Sequence, residues 1–165
     1  MHDLRFTNGH AFRHISPMPH VESLVQVGIR SLRNTRTMME DSIADGNLVV
    51  TMSEFHASGP KAIAETVPKG ANCYVSIDVD VLDMPLVPGC VSAEPNGMTY
   101  AELRDTLAAI AAHTNVIGFD FVEVDRQLDV GAGMTAYRGA HTVLERRGQI
   151  CAQPGRVARC EARGT

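Results

Sequence analysis

Apolar and polar positions along this chain follow two alternating periods. Leu24–Ile29 (LVQVGI) is a short apolar run that ends at Arg30 and Ser31, the pattern of a buried strand. Thr35–Ala44 instead carries Met38, Met39, Ile43 and Ala44 at helical spacing, with Asn34 placed to cap it. Asp45-Gly46-Asn47 marks a turn before a second β-branched run, Leu48–Met52. Ser53 is expected to cap a short helix through His56, and Gly59-Pro60 to break it. Pro60–Val67 reads as another short helix with proline in its first turn.

Cys73–Val81 (CYVSIDVDV) is the strongest strand signal in the chain. An irregular loop rich in proline and glycine follows it. Thr99 and Glu102 then form a capping box that opens a helix from Tyr100 to about Ala112. Val116–Val124 is a further strand and Thr135–Leu144 a final helix. Strands separated by helical segments predict βαβ units, hence an α/β fold with a mostly parallel sheet. Residues 1–145 are assigned to this domain. Residues 146–165, rich in arginine and without periodicity, are expected to be a loosely ordered tail.

Composition narrows the picture. The 165 residues suit one domain, and 44% hydrophobic content is enough to build a core. A net charge of −4 argues against a general nucleic-acid binder. No apolar stretch has the length of a membrane span. The chain opens with MHDLRFTNGHAFRH, which has no apolar leader core, so a cytoplasmic setting with reduced thiols is expected. The four cysteines show no C-x-x-C spacing.

Chemistry concentrates in two strands. In Ser76-Ile77-Asp78-Val79-Asp80-Val81-Leu82-Asp83, strand alternation would put Asp78 and Asp80 on one face. Two ionised carboxylates in so apolar a strand are costly, and a divalent cation resolves the cost. Hard oxygen ligands suit Mg²⁺ or Mn²⁺. The alternative is that one aspartate caps the loop and the other pairs with an arginine. In Gly118-Phe119-Asp120-Phe121-Val122-Glu123-Val124-Asp125, Glu123 falls at the C-terminal end of a strand, where α/β folds place ligands. There it can grip a guanidinium through two parallel hydrogen bonds, or pair with Arg126 or Arg138. His10, in a histidine-rich N-terminal segment, is a candidate proton shuttle.

These segments resemble a known family. SIDVDVLDMPLVPGCVSAEPNGMTYAEL is similar to the second metal-binding motif of the ureohydrolases, the arginase–agmatinase–formimidoylglutamase family, and FDFVEVDRQLDVGAGMTAY to their later substrate motif. VQVGIRS resembles the family's strand and turn after the first metal motif. The resemblance implies a three-layer α/β/α sandwich with a parallel sheet. It also implies Mn²⁺-dependent hydrolysis of a guanidino or formimino C–N bond in a small cationic substrate. By motif position Asp78 and Asp80 would be metal ligands and Glu123 the acid that holds the substrate.

The sequence departs from the family pattern in four places. Asp83 is followed by Met84, with Pro85 one place late. The glycine-threonine loop is replaced by Gly89-Cys90-Val91-Ser92-Ala93-Glu94-Pro95. The shuttle-histidine position falls on Asn8 by strict register, with His10 two residues on. The first metal motifs, G-G-D-H and D-A-H-x-D, are absent.

The family fold is therefore expected to be incomplete on its N-terminal side, the chain to be inactive alone, and oligomerisation to cover an exposed sheet edge. The alternative to a hydrolase is a non-catalytic remnant that serves assembly. A haloacid-dehalogenase-type phosphotransferase is disfavoured, because the two lysines, Lys61 and Lys69, both precede Asp78-Val79-Asp80.

Overall fold

The computed structural model describes residues 8–153. After a short 3-10 turn at Asn8–His10 and helix α1 (Ala11–Ile15), the chain runs β1 (Val25–Ile29), α2 (Arg36–Ala44), β2 (Leu48–Thr51) and α3 (Met52–Glu65). It continues with β3 (Asn72–Asp78), 3-10 turns at Val79–Val81 and Met84–Leu86, α4 (Tyr100–His113), β4 (Asn115–Val122) and α5 (Met134–Cys151). The expected alternation of strand and helix is present.

Among the described residues the strands form two parallel pairs, β1 with β2 and β3 with β4. One apolar core joins them. Val50, Met52, Phe55 and Ile63 from the first half meet Ile77, Val79, Leu82, Leu103 and Leu107 from the second. Helix α3 contributes most to this join, because it packs on β1, β2 and α4.

Capping chemistry sets the helix starts. The Thr99–Glu102 box forms as the spacing predicts, each residue's side chain bonded to the other's backbone N–H. A second box starts α3 at Thr51 and Glu54, not at Ser53. Thr35, not Asn34, caps α2. The expected break at Gly59-Pro60 is a kink inside α3, with Gly59 at φ 78°.

Two expectations are corrected. Strand β3 ends at Asp78 instead of Val81, because the Asp78 carboxylate accepts the Asp80 N–H at 3.1 Å and turns the chain into a 3-10 turn. Residues 146–151, assigned to the tail, are helical and belong to α5. Arg146 is fully buried there and donates from Nη1 to the Leu107 carbonyl at 2.5 Å. Gln153 is buried as well, its Nε2 donating to the Ala111 and Thr114 carbonyls at 2.7 Å, and residues 154–165 lie outside the described residues. No helix among the described residues is long and apolar enough to cross a membrane.

Candidate functional site

The C-terminal end of β3 gathers the acidic residues that the sequence singles out. Asp78 is the last residue of the strand and pairs in register with Val122 of β4, so Glu123 follows one position beyond. Asp78 and Asp80 are half-buried. Burial, and then the Asp80 charge, push the Asp78 carboxyl up to about 7, and Glu123 adds to the rise. The three acids therefore share one electrostatic environment.

Asp80 reaches this place by a turn and not by strand alternation. The peptide that precedes it is held by Asp78, and its own carbonyl accepts Arg30 Nη2 at 2.7 Å. Glu123 has a left-handed backbone, with φ 63°. A non-glycine residue held there is strained, a condition that clusters at functional sites.

Asp120 does not join the acidic group. Its two oxygens accept Ser76 Oγ at 2.7 Å and Tyr74 Oη at 3.1 Å, which ties β3 to β4. His10 lies elsewhere. It lines a cleft of about 420 Å³ against β1 and α2, beside Gln26, Ile29, Ser31 and Thr35, and none of Asp78, Asp80 and Glu123 borders that cleft.

The loop after β3 is fixed by a network that pattern reading misses. Asp83 Oδ1 accepts the Gly97 N–H at 2.9 Å, and the Asp83 N–H donates to the Met98 carbonyl at 2.9 Å. Ser31 Oγ donates to Glu94 at 2.9 Å, and Arg33 donates to Glu94 at 3.1 Å and to the Ser92 carbonyl at 2.8 Å. Gly97 is required at its position. A Cβ there would lie 2.5 Å from the Leu82 carbonyl carbon and 2.7 Å from Arg30 Nη2. The visible clue is polar residues directly after an apolar strand, at Arg30, Ser31 and Arg33, but their partners lie far along the chain.

The donor set suits a hard divalent cation in part. Asp78 and Asp80 offer carboxylate oxygens whose repulsion a cation would relieve. Among the described residues no group of three or more His, Cys, Asp and Glu is arranged to hold a metal ion. The pair therefore fits as a fraction of a metal site.

The model of the Arginase family matches residues 1–147. This chain belongs to the arginase family. Formimidoylglutamase of Halalkalibacterium halodurans is 35% identical over 128 residues, covering 74% of this chain and 40% of that protein. Agmatinase of the same organism is 39% identical over 107 residues, covering 62% and 34%. Among solved structures, formimidoylglutamase from Bacillus subtilis superposes with a TM-score of 0.68 at 28% identity, over 79% of this chain and 42% of that one. Arginase from Medicago truncatula gives a TM-score of 0.70 at 27% identity, over 91% and 46%. The arginase-family chain thus has an arginase-like α/β fold, and spans less than half the length of these relatives.

Proposed function

We propose that this arginase-family chain carries part of a Mn²⁺-dependent ureohydrolase site. The reaction is hydrolysis of a guanidino or formimino C–N bond in a small cationic substrate, and the chain alone lacks that activity. One observation carries the reading: the Asp78–Asp80 pair closes the end of β3 beside Glu123. Relatives named formimidoylglutamase and agmatinase support the substrate class.

Asp78 and Asp80 would hold the metal. When bound, Mn²⁺ supplies Lewis-acid polarisation and a means to activate water near neutral pH. Glu123 would orient the substrate by accepting two parallel hydrogen bonds from its guanidinium-like end. His10 is the proton-shuttle candidate and would need a shift of the N-terminal segment to reach the acids. Free thiols at Cys73, Cys90 and Cys151 suit a reducing cytoplasm.

The test measures urea or formamide release from agmatine, arginine, guanidinobutyrate and formiminoglutamate with added Mn²⁺. The expected result is no release by this chain and release by a version extended with an N-terminal ureohydrolase half, lost again in Asp78→Ala. An extended version inactive on all four substrates overturns the substrate class.

A second reading, an assembly domain without catalysis, is favoured by the lack of a three-residue metal cluster among the described residues. It predicts self-association or binding to longer relatives, and no heat on titration with Mn²⁺.

A further inference from the structure

Arg30, at the end of β1, makes more long-range hydrogen bonds to backbone than its position on an ordinary strand end requires. Its Nη2 donates to the carbonyls of Asp80 at 2.7 Å, Glu94 at 2.8 Å and Leu82 at 3.1 Å. Its Nε donates to the Pro95 carbonyl at 3.0 Å, and Nη1 reaches the Gly28 carbonyl at 3.5 Å. One half-buried guanidinium therefore joins β1, the turn after β3 and the loop before α4.

The contact with Asp80 has a particular geometry. The peptide before Asp80 is held through its N–H by Asp78, and the peptide after it through its carbonyl by Arg30. Pinning both peptides fixes φ and ψ at Asp80, and with them the direction of its Cα–Cβ bond. We infer that Arg30 is a positioning residue that aims the Asp80 carboxylate at its place beside Asp78. The functional meaning rests on the metal reading of that pair, while the geometry does not. A planar guanidinium can serve several carbonyls at once, whereas a lysine offers one compact charge.

The test uses the whole ¹⁵N-labelled chain. Amide exchange at Asp80 is read without metal, and Mn²⁺ affinity is read by electron paramagnetic resonance. Arg30→Met is expected to expose the Asp80 amide to faster exchange while exchange in β1–β4 stays as it was. Mn²⁺ affinity should fall about tenfold, as for other groups that orient a metal ligand. Arg30→Lys should recover part of both losses. It carries the same test if Arg30→Met does not fold. Arg33→Gln, which loses bonds to Ser31, Ser92 and Glu94 only, should change neither readout.

Unchanged exchange at Asp80 in Arg30→Met overturns the inference, as does faster exchange spread evenly over all four strands. A wild-type chain that protects Asp80 yet binds no Mn²⁺ overturns the metal reading and leaves the exchange data to decide Arg30's role.

Discussion

Asp78 Oδ1 accepts the backbone N–H of Asp80 at 3.1 Å, so two carboxylates sit across a single 3-10 turn at the end of an apolar strand. Burial and the neighbouring charge raise the Asp78 carboxyl from 3.8 to about 7. Between those values the folded chain holds a proton that the unfolded chain has released. Stability without metal therefore falls as pH rises through that window and levels off above it. Urea midpoints at pH 5 and pH 8 check this, with the higher midpoint expected at pH 5. Asp78→Asn should remove most of the difference, and equal midpoints in the wild type would contradict the burial of Asp78.

Glu123 occupies left-handed backbone space at the end of β4. A side chain costs about 1 kcal/mol there relative to glycine. Glu123→Gly should thus stabilise the fold by up to that amount while removing the acid. Glu123→Gln removes the charge and keeps the strain, so it should give no comparable gain. Thermal unfolding of the two variants separates backbone from charge.

Arg146 is a fully buried cation whose Nε and Nη2 have no hydrogen-bond partner among the described residues. Burial lowers its pKa to about 10. A charge so poorly compensated contributes little to stability, and its aliphatic stem does the packing. Arg146→Met should leave stability unchanged or raise it. Arg146→Ala should lower it by about 3 kcal/mol through the cavity it leaves. Chemical denaturation of both variants gives the comparison.

The start of α4 depends on the Thr99 side chain, which accepts the Glu102 N–H at 3.2 Å. Thr99→Ala should cost about 1 kcal/mol. Thr51→Ala should cost a similar amount at the start of α3, where the same box recurs. The double variant should show the sum, since each box satisfies its own helix. A loss near zero at either site would mean that packing alone sets that helix start.

Much of the fold is legible because its signals are local. The Thr99 box and the Gly59-Pro60 kink follow from spacing within a few residues, and the parallel pairing follows from the alternation of strand and helix along the chain. The end of β3 is not legible in this way. Val79 and Val81 continue the apolar alternation, and the turn arises from a carboxylate that captures an amide two residues on. The length of α5 is hidden for a different reason. Arg146 and Arg147 look like solvated tail, while the structure buries the Arg146 stem against α4. In the candidate site, strand alternation anticipates that Asp78 and Asp80 are neighbours, but not the turn that makes them so. The hold of Arg30 on Asp80 is not legible either, because the two residues are 50 positions apart in sequence.

The pairing of β3 with β4 acts as a ruler for the acidic site. A register shift between Cys73 and Tyr74 sets its zero, opposite Gly118, where a Cβ would press within 2.8 Å of the Tyr74 ring. From there the strands advance pair by pair to Asp78 and Val122. The separation of Glu123 from the aspartates is therefore a count of residues beyond Gly118. A one-residue insertion or deletion in that stretch would shift Glu123 by one position and turn the side chains that follow the change, Phe121 among them, to the opposite face of the strand.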